Sequence, residues 1–82
     1  PSYQINRDSL SDGLGIIDLL TEQTDIMSSK SDARRSIKNN ALSVNKNKIS
    51  TEEFTIHSKD LLQDKFLMIE NGKKNKMMIE IV

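Results

Sequence analysis

An α+β fold follows from three features of this chain. Helical apolar spacing lies in the first half, most of the period-two alternation follows it in the second, and Asn71-Gly72 sits between two apolar runs near the end. Two short helices packed on a small, mostly antiparallel sheet satisfy that order. Eighty-two residues suit one small domain with one modest core.

The elements can be justified in turn. Residues 1–7 read as extended, with Tyr3 and Ile5 alternating, and 1–12 as a linker arriving from elsewhere. The chain opens on Pro1 rather than Met, as a processed chain or a piece of a longer protein would; the linker-like start favours the second, and the domain is expected over 13–82. A helix could begin at Asp8 or Ser9. Leu10, Leu14, Ile17 and Leu20 recur at helical spacing, and Ile16 and Leu19 widen the stripe. Gly13 and Gly15 weaken its start, so the firm helix is expected from Leu14 to Gln23. Thr24 to Ser28 is a connection, with Ile26 and Met27 as plugs.

A second helix is expected over 30–39. Ser29 and Asp32 have capping-box spacing, and Asp32 suits the positive end of the helix dipole. Ala33 and Ile37 lie on one stripe, four residues apart, while Arg34, Arg35 and Lys38 lie opposite. Asn39-Asn40 ends the helix, asparagine being the best non-glycine residue for a left-handed exit. Leu42 and Val44 alternate as a strand. Asn45-Lys46-Asn47-Lys48 reads as a turn, because asparagine tolerates positive φ. Phe54 and Ile56 alternate in a further strand. Phe66 to Glu70 and Lys76 to Val82 form a hairpin closed by Asn71-Gly72.

The formal net charge is zero, which argues against indiscriminate polyanion binding, but the charges are segregated. Residues 1–29 hold five acids against Arg7 alone, and residues 30–48 hold six bases against Asp32 alone. Acids again dominate 49–70, and bases 71–82. Such asymmetry bears on partners. A charge cluster by itself reads as a solvated helix face. The order of cap, cations, apolar stripe and strand instead describes a rigid cationic surface suited to phosphate chains.

Other chemistries find little support. Without cysteine there is no disulfide framework or thiolate metal site, which fits a reducing cytoplasm. No apolar run approaches a membrane span, and no signal peptide is visible. His57, the only histidine, has no partners for a zinc site and reads as a surface or strand residue. Glu52-Glu53 reads as an edge or helix start rather than acid–base machinery. Gly13-Leu14-Gly15 lacks the third glycine and preceding strand of a dinucleotide site. Met77-Met78 reads as core and edge filling. Tyr3, Phe54 and Phe66 are too few for base stacking on a sheet face, so recognition would run through phosphates, sugars and shape. Nothing assembles an independent catalytic site.

The string Ser29-Lys30-Ser31-Asp32-Ala33-Arg34-Arg35-Ser36-Ile37-Lys38, followed by Leu42-Ser43-Val44-Asn45, resembles the core motif of RNA-binding domains of the ribosomal small-subunit protein four type. Those show Ser-Lys/Arg-Ser-Glu-Ala-Arg-Arg-Leu-Ile-Lys and then Val-x-Val-Asn. The family's glycines at the helix exit and after the motif asparagine are Asn40 and Lys46 here. Gly15-Ile16-Ile17-Asp18-Leu19-Leu20 is similar to the Asp-Leu-Leu helix of bacterial tyrosyl-tRNA synthetases. The tail from Phe66 to Ile79 resembles their C-terminal hairpin, with Lys76 and Met77 where an aromatic pair is usual. With both flanks the resemblance covers nearly all of the chain.

The resemblance implies the alpha-L RNA-binding motif and a C-terminal tRNA-binding domain of such a synthetase, cytoplasmic and without a membrane partner. The isolated domain would be non-catalytic and hold no cofactor, ATP and magnesium belonging to a catalytic domain absent here. Its partners would be tRNA(Tyr), gripped by the long variable arm, and the parent catalytic and anticodon-binding domains. The parent would be a homodimer and the isolated domain a monomer. Arg34, Arg35 and Lys38 would contact phosphates, with Lys30, Lys46 and Lys48 beside them, and Lys73, Lys74 and Lys76 extending the track. Two alternatives stand beside this reading. One is an RNA-binding domain of a pseudouridine synthase or ribosome-associated factor, whose usual Arg-Leu-Asp opening is missing. The other is a protein-interaction or assembly domain.

Overall fold

The computed structural model of the chain describes residues 2–73 and 75–82. The chain runs through β1 (Ser2–Ile5), a 3-10 turn (Arg7–Leu10), β2 (Leu14–Gly15), α1 (Ile16–Thr21) and α2 (Lys30–Lys38). It continues through β3 (Leu42–Val44), β4 (Asn47–Lys48), β5 (Thr55–Ile56), a second 3-10 turn (Ser58–Asp60), β6 (Phe66–Asn71) and β7 (Asn75–Ile81). The α+β class and the mostly antiparallel sheet agree with the sequence. Five strands lie in the order β1-β7-β6-β3-β4, and β2 pairs with β5 in a separate two-stranded ribbon. Only the β1–β7 pair in the larger sheet is parallel.

Strand alternation gives the sheet two unlike faces. Leu42, Val44, Leu67, Ile69, Ile79 and Ile81 are buried, and share one core with Ile16, Leu19 and Leu20 of α1 and with Ala33 and Ile37 of α2. The intervening residues of β6 and β7 form the other face: Phe66, Met68, Glu70 and Glu80 are half-buried, Lys76 and Met78 exposed. Both helices therefore cover a single face of the sheet.

Several elements differ from their sequence expectation, each for a local reason. Residues 1–12 were expected as a linker, yet β1 pairs with β7 from Ser2↔Met78 to Ile5↔Ile81. Ile5 and Leu10 are both in the core. The helix expected near Asp8 is the 3-10 turn, capped by the Asn6 side chain, which accepts from the Asp8 N–H at 2.8 Å. The helix expected from Leu14 to Gln23 is shorter at both ends. Leu14 and Gly15 pair with Ile56 and Thr55, and the Ile16 N–H donates to the Phe54 carbonyl at 2.9 Å. At the other end, the Thr24 hydroxyl donates to the Leu19 carbonyl at 2.8 Å and closes the last turn. The strand containing Ile56 thus belongs to the ribbon, not to the main sheet. Glu52 and Glu53 lie in a turn rather than a helix start.

Gly13 sits at φ +91°, and a Cβ there would lie 2.6 Å from Thr55 Cγ2 and 2.8 Å from His57 Cε1. Only glycine lets the chain turn so close to β5. The turn after β3 is carried by Asn45 and Lys46, at φ 53° and 75°, while Asn47 and Lys48 already belong to β4. This is a two-residue hairpin with both central residues left-handed. Asn45 does more than turn: its N–H donates to the Met68 carbonyl at 2.8 Å, and its Oδ1 accepts from the Met68 N–H at 2.9 Å. Its Nδ2 donates to the Asp60 carbonyl at 2.6 Å. The β6–β7 hairpin extends to Asn71↔Asn75, one pair beyond the strands expected, with Gly72 at φ +77° opening its turn.

Candidate nucleic-acid interface

The basic helix begins where its cap requires. Ser29 Oγ accepts from the Asp32 N–H at 3.1 Å. The Asp32 carboxylate does not complete a reciprocal box with Ser29. It accepts from the Ser28 hydroxyl at 2.7 Å and from Arg35 Nη1 at 3.2 Å. The Ser28 hydroxyl is the main cause holding the Asp32 carboxyl below the usual aspartate range, with Ser29 and Arg35 adding to it against partial desolvation. α2 ends in paired bonds around a left-handed Asn40 (φ 63°): Asn40 N–H to the Ile37 carbonyl and Ala41 N–H to the Ser36 carbonyl, at 3.0 and 2.9 Å. That is a Schellman exit, which asparagine can adopt in place of glycine.

Ala33, Ser36 and Ile37 face inward, and Arg34, Arg35 and Lys38 are exposed. Ser36 is the inward residue that the two-residue stripe did not anticipate. Its position three residues after Ala33 is the signal that could have found it. The Ser36 hydroxyl donates to Asn71 Oδ1 at the end of β6, and the Gly72 N–H donates to the Ala41 carbonyl at 2.8 Å. These two bonds clamp the basic helix and its exit to the β6–β7 hairpin.

The expected contact residues divide into groups. Lys30, Arg34, Arg35 and Lys38 ride on α2, on the helical side of the sheet. Lys76 lies on the opposite face, in a row with Glu70, Ser43 and Lys48 across β7, β6, β3 and β4. Lys46 reaches that row through Glu70 at 3.7 Å. Lys48 links the groups, since its Nζ donates to the Asn40 carbonyl at the exit of α2 at 2.6 Å. Lys73 follows Gly72 in the hairpin turn, and Lys74 lies outside the described residues.

Acidic partners, which the sequence did not single out, engage several of these cations. Lys30 Nζ is 3.5 Å from Glu22 and 3.9 Å from Asp18, and Arg34 Nε is 3.4 Å from Glu52. All are exposed pairs, worth about 0–1 kcal/mol each, so a phosphate can take the carboxylate's place at little cost. Among the described residues, Lys38, Lys73 and Lys76 have no carboxylate within 4.0 Å.

His57 is exposed, and its backbone N–H donates to Asp60 Oδ2 at 2.8 Å. Among the described residues, no group of three or more His, Cys, Asp or Glu side chains could hold a metal ion. No described helix is long and apolar enough to cross a membrane.

Comparison with known proteins identifies the family of the chain. Residues 1–79 match the family model described as Tyrosine–tRNA ligase SYY-like C-terminal domain. The chain is 37% identical over 79 residues to the tyrosine–tRNA ligase of Porphyromonas gingivalis, covering 96% of this chain and 18% of that enzyme. It is 37% identical over 82 residues to the Flavobacterium johnsoniae ligase, covering 100% of this chain and 19% of that enzyme. Identity to the Bacteroides fragilis ligase is 33% over 79 residues, covering 96% and 18%. The chain thus spans about a fifth of the length of the curated relatives it matches, and corresponds to a C-terminal piece of such a ligase. The chain belongs to the family of SYY-like C-terminal domains of tyrosine–tRNA ligases.

Proposed function

We propose that this chain is a tRNA-binding appendage that grips tRNA(Tyr), along its long variable arm, through the exposed ridge of α2. The observation that carries the reading is that ridge. A capped helix, anchored by Ala33 and Ile37 and clamped to the sheet through Ser36 and Asn71, presents Arg34, Arg35 and Lys38 to solvent. The anchored helix fixes where the cations start, and arginine forks match phosphate oxygens. Lys30 extends the ridge at one end, and Lys48 and Lys73 flank the other. In this role the domain works in the cytoplasm and holds no cofactor of its own. Tyrosine activation with ATP and magnesium, and homodimerisation, belong to the remainder of the ligase. Tethering to that remainder makes even millimolar affinity useful.

The experiment is a titration of the chain with tRNA(Tyr) and with a version whose variable arm is trimmed, at several salt concentrations. Contact with four to six phosphates gives a log–log salt slope of roughly −3 to −5. Tighter, salt-sensitive binding to the intact arm supports the reading. Equal binding to both RNAs means a generic RNA grip, and no binding at low salt removes the reading. A second reading, an assembly domain, draws on the zero net charge and on the carboxylates beside Lys30, Arg34 and Lys46. Charge reversal at Arg34 and Arg35 separates the two: the RNA reading requires lost RNA binding in a folded variant.

A further inference from the structure

Beside the α2 ridge lies a cleft of about 550 Å³, bounded by the segment 25–28, one flank of α2, and the end of β6 at Asn71. It is a hollow open to solvent over most of its face rather than an enclosed cavity. Ile26 and Met27 supply an apolar wall. Arg35 and Asn39 stand along the α2 side, and Asn71 closes the end. Asn71 Oδ1 is engaged by the Ser36 hydroxyl, so the amide keeps its Nδ2 donors. Among the described residues, neither that Nδ2 nor the Asn39 side chain makes a hydrogen bond. Arg35 is steadied by its contact with Asp32, which leaves a planar guanidinium held at the rim of the cleft.

The electrostatics discriminate between ligands. The cleft contains Asp25 and Asp32 against the single cation Arg35, so a phosphate inside it would face two carboxylates. The lining offers donors from Asn39, Asn71 and Arg35 and acceptors from Asp25, Asp32 and Ser28. A neutral, flat group with both donors and acceptors along its edge fits these walls, and an anion does not. Arg35 serves both surfaces, as it also stands on the ridge read above as phosphate-binding.

We propose that this cleft receives one unpaired nucleobase of a bound RNA, stacked on the Arg35 guanidinium and hydrogen-bonded by Asn39 and Asn71. The proposal rests on the RNA reading of the ridge and adds a base-reading site to it. Guanidinium planes stack on splayed bases as aromatic rings do, so the scarcity of aromatic residues is no obstacle.

The test titrates the 82-residue chain with three stem RNAs of equal charge: fully paired, with one bulged base, and with an abasic bulge. Free nucleoside is added as a competitor. The expected result is binding of the bulged RNA on the order of tenfold tighter than of the other two, the scale of one stacked base. All three should show the same salt slope, and free nucleoside should not compete at micromolar concentration. Asn39→Ala should reduce the preference while leaving the affinity for the paired stem unchanged, with thermal melting verifying that the variant folds. The abasic comparison needs no variant. Equal affinity for the three stems, with the salt slope intact, overturns the base site and leaves the phosphate ridge standing. Tight competition by free nucleoside overturns it in favour of a small-molecule site. Failure to bind any stem at low salt removes both readings.

Discussion

Glu52→Gln should increase RNA affinity. Glu52 Oε1 is 3.4 Å from Arg34 Nε, with both side chains about half exposed. Coulomb attraction at that distance in water-like surroundings is about 1.2 kcal/mol. Screening and side-chain entropy reduce the net worth of exposed pairs to roughly 0.2–1 kcal/mol. A phosphate that recruits Arg34 must first overcome this pull and then tolerate the nearby carboxylate. Neutralising Glu52 removes both effects and increases affinity by about 1.5- to 5-fold. It also steepens the log–log salt slope by up to about 0.9, if Arg34 becomes one further fully engaged phosphate contact. Fluorescence anisotropy with a labelled RNA across a salt series measures both quantities, and the melting temperature shows that the fold is unchanged. Unchanged or weaker binding by a folded Glu52→Gln variant would refute the assignment of Arg34 to the interface.

Three other outcomes follow from the packing. Gly13→Ala should destabilise the fold by about 1–2 kcal/mol or more, because it combines a left-handed φ with a Cβ 2.6 Å from Thr55 Cγ2; urea unfolding measures it. Ile37→Ala, which empties a core position under α2, should cost about 2–5 kcal/mol and weaken RNA binding only as the fold is lost, as a melt beside a binding isotherm would show. Asp32 loses its proton more readily folded than unfolded, so its contribution to stability is present above the ordinary aspartate value of about 3.9. That contribution is lost as pH falls through the lowered folded value. Melting temperatures from neutral pH to about pH 2 should therefore fall less steeply at the acid end in Asp32→Asn than in the parent chain.

The segment from Ser29 to Val44 was legible because its instructions are local. A capping hydroxyl, apolar residues four apart and an asparagine exit act within one or two turns of backbone, and α2, its Schellman exit and β3 appear where they direct. The β6–β7 hairpin was legible for the same reason, since Asn71-Gly72 favours its own turn. The extent of α1 was not. Leu14 and Gly15 have helical apolar spacing, but their backbone groups find β5, some forty residues later in the chain.

The candidate site divides along the same line. Which residues are cationic, and that Arg34, Arg35 and Lys38 share a face of α2, follows from residue type and helical period. Helical period says nothing about what approaches that face from elsewhere. Glu52 beside Arg34, Glu70 beside Lys46, and Asn71 holding Ser36 at the head of the cleft join residues 18 to 35 positions apart. Short-range propensity placed each cation on its own element. The distances among those elements were set by burying Ile16, Leu19, Leu20, Ala33 and Ile37 against one face of the sheet, and hydrophobic burial, being non-directional, writes no residue pairing into a linear sequence.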